Sequence, residues 1–284
     1  MAEEKIRLAI IGGSGLCYQD VFPVVRRVKP LTRFGYPSGE ISICEVPGWD
    51  NSTRKAAFLP RHDVDHSLAP HAVPYRANIA ALQSLGVRQI IATCIAGSLR
   101  RKIHPTDLVV PDQLVNLTWG RDQHQDGPPI HLPFAEPYCP TLRMVMCCRA
   151  RTMKVRVHNG GTVVVIQGPR FSSRAESRWF SKQGWSIVNM TQYPECYYAR
   201  ESGICYATLA MITDYDVGVS RVKRELQAGS LFADVLKIFH LNVQTLKLLL
   251  RNIVPSVSDE NCGCTTPFPS EYYKYAMGEQ GGNE

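Results

Sequence analysis

Three short polar segments contain the residue types best suited to binding and proton transfer, and each follows an apolar run that predicts a β-strand. They are residues 168–177, 189–191 and 213–216. In α/β proteins, ligands bind beyond the carboxyl ends of the parallel strands. We therefore expect these three segments to present their side chains to one shared crevice.

Three further strand-like runs end in groups that suit an anion. The glycine-rich turn at residues 12–15 could aim backbone N–H groups at it, but any tight strand-to-helix turn needs glycine. The turn lacks the dinucleotide spacing G-x-G-x-x-G, and no P-loop lysine follows it. Arg61 and His62 combine a planar cation with an imidazole and suit an oxyanion, or else they are a surface arginine and a core histidine. The third group is residues 93–98.

Asp214 and Asp216 are separated by one residue at the end of a strand-like run. In a strand this spacing points both side chains to the same side, where two carboxyls repel unless one is protonated or both find donors. A purine offers such groups at N7 and at its exocyclic substituent, and Phe171 and Ser172 could add a stacking ring and a hydroxyl. A metal would find only two oxygen ligands here, and an acidic turn after a strand is the structural alternative.

Length and composition set the class of protein. A chain of 284 residues with 44% hydrophobic and 20% charged residues is typical of one large globular domain or two small ones. Its formal charge of +7 suits small anions, but the scattered lysines and arginines form no organised basic stripe, so we expect no nucleic-acid partner. No apolar run is long enough to cross a bilayer, and residues 1–5 lack the apolar part of a signal peptide. We expect a cytoplasmic protein with no membrane partner, and the nucleus as a second compartment.

The ten cysteines predict reduced thiols that pack as small hydrophobic side chains. Cys262 and Cys264 flank one glycine and could supply two metal ligands. A closed zinc site needs four ligands, and no neighbouring histidine or cysteine in the sequence completes the set. The sequence therefore predicts no metal site.

Strand-like and helix-like segments alternate along the chain, which favours an α/β fold. The predicted strands are residues 7–11, 41–46, 56–59, 89–94, 107–114, 161–167, 186–190 and 205–213. The predicted helices are residues 74–85, 141–150, 174–183, 194–202 and 231–251. The last helix has the clearest pattern, because one face carries Val235, Phe239, Val243 and Leu246. From residue 255 onward the composition shifts to Ser, Pro, Gly, Asn and Glu, which predicts a tail that is packed in its aromatic middle and mobile at its end.

In their types and their order, these residues resemble the 5′-methylthioadenosine phosphorylase family, within the trimeric purine nucleoside phosphorylases. The matching motifs are residues 10–15, 59–62, 75–78, 97–99, 135–140, 168–177, 188–191, 194–195 and 212–216. The resemblance implies a single α/β domain over residues 1–254, whose central mixed, partly barrel-like sheet is flanked by helices. A tail over residues 255–284 would follow it.

The resemblance also implies an activity, the reversible phosphorolysis of 5′-methylthioadenosine to adenine and 5-methylthioribose 1-phosphate. Inorganic phosphate is the co-substrate, and no metal or organic cofactor takes part. The glycosidic bond loosens first, negative charge moves into the purine, and phosphate attacks C1′ from the opposite face. The site must therefore hold phosphate and stabilise the departing base. The family forms homotrimers, whose sites would be shared between subunits.

The same resemblance assigns roles to the residues at the matching positions. Phosphate would be held by Ser14, Arg61, His62, Cys94, Ile95 and Thr191. The ribose and its 5′ substituent would contact Met190, His66, His131, Phe232 and Val235, with His131 contributed by the adjoining subunit. Phe171 and Ser172 would line the base pocket. Asp214 would donate to purine N7 as general acid, and Asp216 would accept from a 6-amino group.

Three departures from the family pattern bear on phosphate affinity and on specificity. Asp63 stands where most relatives have glycine, and aspartate is among the better substitutes if the position needs a positive φ. Cys94 and Ile95 replace a threonine–alanine pair, so a weak thiol donor stands where a hydroxyl is usual. Phe232 is bulkier than the small aliphatic residue expected near the 5′ substituent.

The aspartate pair also indicates which base is preferred. A neutral Asp214 that donates to N7 and an Asp216 that accepts from N6 suit a 6-aminopurine, whereas relatives that cleave inosine and guanosine favour Asn and Glu. Two alternatives stay open. One is a purine nucleoside phosphorylase of broader or 6-oxopurine preference, and the other is a catalytically weak purine-binding scaffold with the same fold.

Overall fold

Eleven strands in the described part of the chain form one mixed β-sheet. The computed structural model describes residues 6–13, 21–50, 52–122, 131–219, 230–258 and 262–265. In chain order the strands are β1 (Leu8–Gly12), β2 (Val24–Val28), β3 (Ile41–Pro47), β4 (Thr53–Pro60), β5 (Gln89–Ser98), β6 (Leu108–Val110), β7 (Gln113–Leu117), β8 (Val157–Asn159), β9 (Thr162–Ile166), β10 (Ile187–Asn189) and β11 (Cys205–Tyr215). The predicted α/β class with a mixed sheet is confirmed.

Strand β5 is the branch point of this sheet. One of its edges pairs first with β1, over residues 89–92, and then with β10, at Gly97 and Ser98. Its other edge pairs with β11 along residues 89–98. Because β1 and β10 share one edge of β5, the sheet divides into two arms there, one continuing through β4, β3 and β2 and the other through β9 and β7.

Helices cover the two faces of the sheet. They are α1 (Tyr75–Ser84), α2 (Pro140–Thr152), α3 (Arg174–Lys182), α4 (Gln192–Glu201) and α5 (Ser230–Ile253). On α5, Phe239, Val243 and Leu246 are buried together, as their spacing predicts. Helix α3 begins with a capping box in which Ser173 and Glu176 each accept from the other's backbone N–H, so the local sequence fixes where this helix starts.

The sequence-based strand assignment is wrong at three places. The predicted strand at residues 107–114 is two strands, β6 and β7, because Pro111 lacks the N–H that a continuous ladder needs. Strand β2 was not predicted, since three of its five residues are exposed and two of them are arginines. Strand β8 has only three residues and carries no clear alternation.

Hydrogen bonds hold the segment after α5 against the first residues of β4 and β5. Arg54 donates through Nη2 to the carbonyl oxygens of Val254 and Val257 at 2.7 and 2.8 Å. Gln89 donates to the Ser258 carbonyl at 3.0 Å. The predicted aromatic packing and mobile end of the tail lie outside the described residues. Among the helices of the described ranges, none has the length and apolar character to cross a membrane.

Candidate active site

The predicted polar segments surround one cavity of about 420 Å³. This volume lies within the range of pockets that hold small organic molecules. Strands β5, β10 and β11 contribute residues at or just beyond their ends, and the segments after β4 and β9 complete the wall. The residues of the predicted site that line the cavity are Arg61, His62, His66, Cys94, Ile95, Phe171, Ser172, Met190, Thr191, Asp214 and Asp216.

The segments meet for a different reason from the one expected. Parallel strand ends account for the segments that follow β5 and β11, which run in the same direction. Strand β10 is antiparallel to β5, with Ile187 opposite Ser98 and Val188 opposite Gly97. Its end therefore runs back beside β5, and this reversal carries Met190 and Thr191 into the same cavity.

Three residues of the predicted site are outside what the structure describes, and a fourth is described but does not line this cavity. Ser14 lies outside the described residues. Phe232 and Val235 belong to the first turns of α5, and their side chains are also outside what the structure describes. His131 is exposed and is not among the described residues that line the cavity of its own chain.

Arg61 is the buried cation of the cavity wall, with 1% of its side chain exposed. Its Nε and Nη2 donate to the two carboxylate oxygens of Glu195 at 2.6 and 2.7 Å, and its Nη1 donates to the Thr93 carbonyl at 2.7 Å. Burial alone would lower the pKa of Arg61, but the Glu195 carboxylate outweighs it and holds the pKa above its ordinary value. A guanidinium has five N–H groups, so these three bonds leave donors for an anion.

Glu195 is a functional residue that sequence reasoning misses. It is fully buried, and the Tyr206 hydroxyl donates to its Oε1 at 2.8 Å. Glu195 lies 134 residues from Arg61, so no local spacing reveals the pair. The sequence did mark Glu195 in one way, because it belongs to the family motif at residues 194–195, but the resemblance assigned it no role. The carboxylate fixes the plane of the guanidinium that faces the cavity.

His62 lines the cavity as a neutral imidazole. Its Nδ1 lies 2.7 Å from the Leu68 carbonyl oxygen, which can only accept, so Nδ1 carries the proton. Burial and the neighbouring Arg61 charge lower the pKa of His62 to about 4. At neutral pH, Nε2 is therefore a hydrogen-bond acceptor, and the positive charge for an anion comes from Arg61 rather than from His62.

Thr191 is placed by a turn built around Asn189. Asn189 Oδ1 accepts from the backbone N–H groups of Thr191 and Gln192 at 2.7 and 2.9 Å, and its Nδ2 donates to the Ile95 carbonyl at 2.9 Å. Thr191 immediately precedes α4, in which Tyr193 is still extended, so the regular helical turns start only after Tyr193. Buried Thr191 lines the cavity, where its hydroxyl is a hydrogen-bonding group for an anion.

Cys94 lies in the cavity wall as a neutral thiol. It is buried, and Gln192 donates to its sulfur at 3.5 Å. Burial raises the pKa of Cys94 to about 12, and the neighbouring Arg61 charge only partly offsets this effect. The residue can thus contact an anion only as a weak S–H donor, and it is not a reactive thiolate.

The carboxyls of Asp214 and Asp216 both line the cavity. A bulge in the β5–β11 ladder falls between Ile212 and Asp214, and Asp216 follows the last residue of β11. Burial, assisted by the charge of Asp216, raises the pKa of Asp214 from 3.8 to about 6, although the Thr213 hydroxyl donates to it at 2.8 Å. Burial also raises the pKa of Asp216. Asp214 is thus the group in this wall best suited to carry a proton near neutral pH.

Space for a flat ring exists beside the two carboxyls. A Cβ at Gly97 would lie 3.1 Å from Val188 Cγ1 and 3.4 Å from Asp214 Oδ2, so glycine keeps this part of the cavity open. Within the described residues, Ser172 Oγ and Asp216 Oδ2 are buried without a hydrogen-bond partner that meets normal geometry. Phe171, with 55% of its surface exposed, stands at the rim. The Ser172 and Ser177 hydroxyls are close enough to lower the pKa of Asp216, against the effect of burial. An aromatic face and two polar atoms without well-formed hydrogen bonds suit a polar heteroaromatic ring.

Met190 and His66 also line the cavity. Gly168 has φ +58°, and a Cβ there would lie 2.6 Å from Met190 Sδ, so glycine lets Met190 pack against this turn. Arg121 fixes the backbone by donating to the Met190 carbonyl at 2.7 Å. The rings of His62 and His66 have centroids 4.7 Å apart. This part of the wall combines a thioether with two imidazoles, which suits a small, partly apolar group.

Asp63 adopts φ +66°, so its position does need the left-handed backbone that favours glycine. Its Oδ1 accepts from the Val64 N–H at 2.7 Å and also lies beside Gly39, within 2.8 Å of where a Cβ there would be. The residue is not part of the cavity wall. Its charge is therefore directed away from the anion-binding groups.

We expect Asp63→Ala to lower the free energy of unfolding by about 1–2 kcal/mol, because alanine tolerates this φ poorly and cannot accept from Val64. Asp63→Gly should stay within about 1 kcal/mol of the parent, since glycine adopts the angle freely. Urea unfolding of both variants tests this. Equal destabilisation by both would show that the side chain, rather than the backbone angle, matters.

The cavity joins two chemically different regions. Arg61 Nη1 lies beside the turn at Gly13 and Cys94, whereas Asp214 lies beside Gly97. Three residues of an extended strand separate Cys94 from Gly97, which corresponds to about 10 Å. One molecule can therefore place an anion near Arg61 and Thr191 while a polar ring contacts the carboxyls. This arrangement can bring an oxyanion to a reaction centre and protonate a departing heteroaromatic base.

Comparison with known proteins places the chain in a family. The sequence matches the phosphorylase superfamily over residues 7–255. It is 47% identical over 259 residues to S-methyl-5′-thioadenosine phosphorylase of Mycolicibacterium smegmatis, covering 91% of this chain and 93% of that protein. It is 40% identical over 273 residues to a purine nucleoside phosphorylase of Streptomyces coelicolor, covering 92% and 93%. Methylthioadenosine phosphorylase from Schistosoma mansoni in complex with adenine superposes with a TM-score of 0.82 at 32% identity, covering 98% and 99%.

Proposed function

The chain belongs to the phosphorylase superfamily, and we propose that it catalyses the reversible phosphorolysis of 5′-methylthioadenosine to adenine and 5-methylthioribose 1-phosphate. The enzyme class is that of the pentosyltransferases. The observation that carries the proposal is that one cavity holds both the buried Arg61 guanidinium and the Asp214 carboxyl, whose pKa is raised to about 6. The relatives named methylthioadenosine phosphorylases support the choice of substrate.

Phosphate would occupy the region around Arg61. The guanidinium, already oriented by Glu195, donates its remaining N–H groups, and Thr191 donates its hydroxyl. His62 Nε2 accepts a hydrogen bond from the O–H of a protonated phosphate oxygen or of a ribose hydroxyl. Ser14, Ile95 and Cys94 complete the predicted set. Held in this way, an oxygen of phosphate attacks C1′ from the side opposite the base as the glycosidic bond breaks.

The departing base would be stabilised by the aspartate pair. As the C1′–N9 bond breaks, its electron pair moves into the purine, and a protonated Asp214 transfers its proton to N7. The buried Oδ2 of Asp216 accepts from the 6-amino group, and Ser172 and Phe171 contact the ring. Met190 and His66 lie against the ribose and its 5′ substituent, together with Phe232 and Val235. Neutral adenine then leaves, the negative charge stays on the Asp214 carboxylate, and this carboxylate takes up a proton again before the next turnover.

The reaction as proposed needs no metal or organic cofactor, because proton transfer and phosphate binding are provided by side chains. We further propose a homotrimer in which His131 reaches the site of the adjoining subunit. This arrangement would use the exposed position of His131, which is not among the described residues that line its own cavity. A cytoplasmic or nuclear location, without nucleic-acid or membrane partners, would fit such a salvage enzyme.

A second candidate function is a purine nucleoside phosphorylase of broader or 6-oxopurine preference. It is favoured by the relative of that name, which is 40% identical to this chain. A 6-oxopurine presents an N1–H donor and a carbonyl where adenine presents an acceptor and an amino group. The ionisable Oδ2 of Asp216, an acceptor without a well-formed hydrogen bond, suits the amino group better. A purine-binding scaffold with weak activity is the third alternative.

Phosphate-dependent base release from 5′-methylthioadenosine, adenosine and inosine, measured side by side, tests the proposal. We expect adenine release to be fastest from the methylthio substrate and hypoxanthine release to be negligible. Preferential hypoxanthine release would favour the second candidate. Purine binding without turnover of any of the three would favour the scaffold.

The pKa of Asp214 predicts how the enzyme responds to pH. Since the protonated carboxyl is the active form, kcat/KM for 5′-methylthioadenosine should be maintained below pH about 6 and fall by up to tenfold per pH unit above it. Adenine affinity, measured calorimetrically without phosphate, should decline over the same range, which separates this effect from the ionisation of phosphate. Adenine binding that is constant between pH 5 and 8 would contradict the role of Asp214.

A further inference from the structure

Four cysteines from three separate parts of the chain meet at one point away from the cavity. The Sγ atoms of Cys139, Cys205, Cys262 and Cys264 all lie within 4.8 Å of one another. The sequence-based statement that no cysteine completes a ligand set around Cys262 and Cys264 is therefore wrong. It considered neighbours in sequence, and the two additional thiols are neighbours only in space.

Two of the four cysteines are fixed on rigid elements. Cys139 is the residue before helix α2, and its backbone N–H donates to the Tyr206 carbonyl at 2.8 Å. Cys205 is the first residue of β11, and its backbone N–H donates to the Arg88 carbonyl at 2.9 Å. Both side chains are buried, whereas Cys262 and Cys264 are half-buried. Cys139 and Cys205 are thus held in place by α2 and β11, and the half-buried Cys262 and Cys264 lie on their solvent side.

The four sulfurs form a quartet rather than two pairs. Cys262 Sγ lies 2.9 Å from Cys205 Sγ and 3.5 Å from Cys139 Sγ. A disulfide would hold two sulfurs at about 2.05 Å and would leave each with one partner. Tetrahedral zinc with four thiolates at about 2.3 Å places every pair of sulfurs roughly 3.8 Å apart. Both of these separations are shorter than that value, and every pair of sulfurs stays within 4.8 Å, so changes of about 1 Å or less in each separation give the tetrahedral arrangement.

The surroundings of the quartet suit bound thiolates. The Leu142 N–H at the start of α2 donates to Cys139 Sγ at 3.5 Å, and the positive end of the helix dipole lies there. Zinc ligands in proteins are commonly supported by hydrogen bonds of this kind. The half-buried position of Cys262 and Cys264 gives a metal ion access from solvent.

We infer that these four cysteines bind one structural zinc ion. Each thiol loses its proton on binding, so one Zn²⁺ replaces four protons and the centre carries a net charge of −2. All four zinc positions are then filled by sulfur, which leaves no place for a substrate. The site is distinct from the phosphorolysis cavity, whose proposed reaction needs no metal.

Zinc binding would attach the segment after α5, through Cys262 and Cys264, to the first residue of β11. The same segment is held by Arg54 at Val257 and by Gln89 at Ser258. Asp214 is nine positions after Cys205 along β11, which corresponds to about 30 Å. We therefore expect the zinc to stabilise the fold without taking part in catalysis.

Metal analysis of the full chain, purified without chelators from zinc-supplemented cells, tests this inference. We expect about one zinc ion per chain in the parent protein and in Cys148→Ser, a matched control on the exposed face of α2. Cys205→Ser and Cys264→Ser should lose the zinc and melt at lower temperature. Co²⁺ added to the zinc-free parent should give the intense visible absorption of a tetrahedral thiolate complex, and Cys264→Ser should not.

Thiol titration in denaturant under non-reducing conditions decides between the remaining outcomes. Ten reactive thiols together with one zinc support the site. Four missing thiols and no zinc would show two disulfides and overturn the inference. Ten thiols with neither zinc nor a cobalt spectrum would also overturn it, whatever the thermal stability of the variants.

Discussion

Replacing Asp214 by asparagine is expected to lower kcat/KM for 5′-methylthioadenosine by about 10²–10⁴-fold, the range of a lost general acid. Asparagine keeps the shape of the side chain and can still donate a hydrogen bond to purine N7. It cannot transfer a proton, so the negative charge that develops in the leaving base is no longer neutralised. Phosphate-dependent adenine release measured under single-turnover conditions gives the effect on chemistry alone.

The same substitution should not destabilise the protein at neutral pH. Burial raises the pKa of Asp214 from 3.8 to about 6, so the folded state binds its proton more tightly than the unfolded state does. That contribution to stability is fully present below pH 3.8 and is lost as the pH rises through about 6. At pH 7–8 the ionised carboxylate is therefore a cost to the parent, on the order of 3 kcal/mol at most. Asparagine removes this cost, so low activity should accompany an equal or higher unfolding free energy.

Asp216→Asn is the matched comparison, because its carboxyl lies in the same wall and its proposed role is recognition. We expect it to raise KM for adenine nucleosides and to reduce discrimination against inosine, with a smaller loss of kcat. Unchanged adenine-nucleoside turnover in Asp214→Asn would refute the general-acid role. Equal losses of kcat in both variants would indicate that the pair acts as one proton-sharing unit.

Local sequence was sufficient to predict the positions of the site residues that lie at the ends of strands. The apolar runs before Asn189 and Thr213 fixed the strands, and the polar residues beyond them had to emerge at an edge of the sheet. That argument places Asp214, Asp216 and Thr191 near one another without knowledge of the fold. For β10 the argument predicted the correct position but the wrong reason. The strand was expected to be parallel, whereas it pairs antiparallel with β5 through contacts that are distant in sequence.

Features that depend on distant pairing could not be predicted in this way. The partner of Arg61 is Glu195, and the protonation of His62 is set by a backbone carbonyl at Leu68. The cysteine quartet joins residues 139, 205, 262 and 264, whose spacing matches no local ligand pattern. In each case the chemistry of a side chain is decided by a neighbour that only the folded chain supplies.

Replacing Arg61 by lysine is expected to raise KM for phosphate by about 10- to 100-fold. The guanidinium holds Glu195 through two hydrogen bonds and Thr93 through a third, and still has N–H groups for phosphate. A lysine ammonium keeps the charge but has only three donors and no planar fork, so it cannot hold the carboxylate in two places and also bind phosphate. A lost hydrogen bond to a charged group is worth about 1.5–3 kcal/mol, which corresponds to this change in affinity.

The unfolding free energy of Arg61→Lys should also fall by about 2–4 kcal/mol, because the Glu195 carboxylate stays fully buried with a poorer partner. Arg54→Lys is a matched control, since Arg54 likewise bridges distant backbone groups but lies outside the cavity. It should lose stability while keeping the parent KM for phosphate. Steady-state kinetics at a temperature where both variants are folded would separate the two effects. If Arg61→Lys kept the parent KM for phosphate there, the guanidinium would be a structural group only, and phosphate would have to bind through Thr191 and the turn after β1.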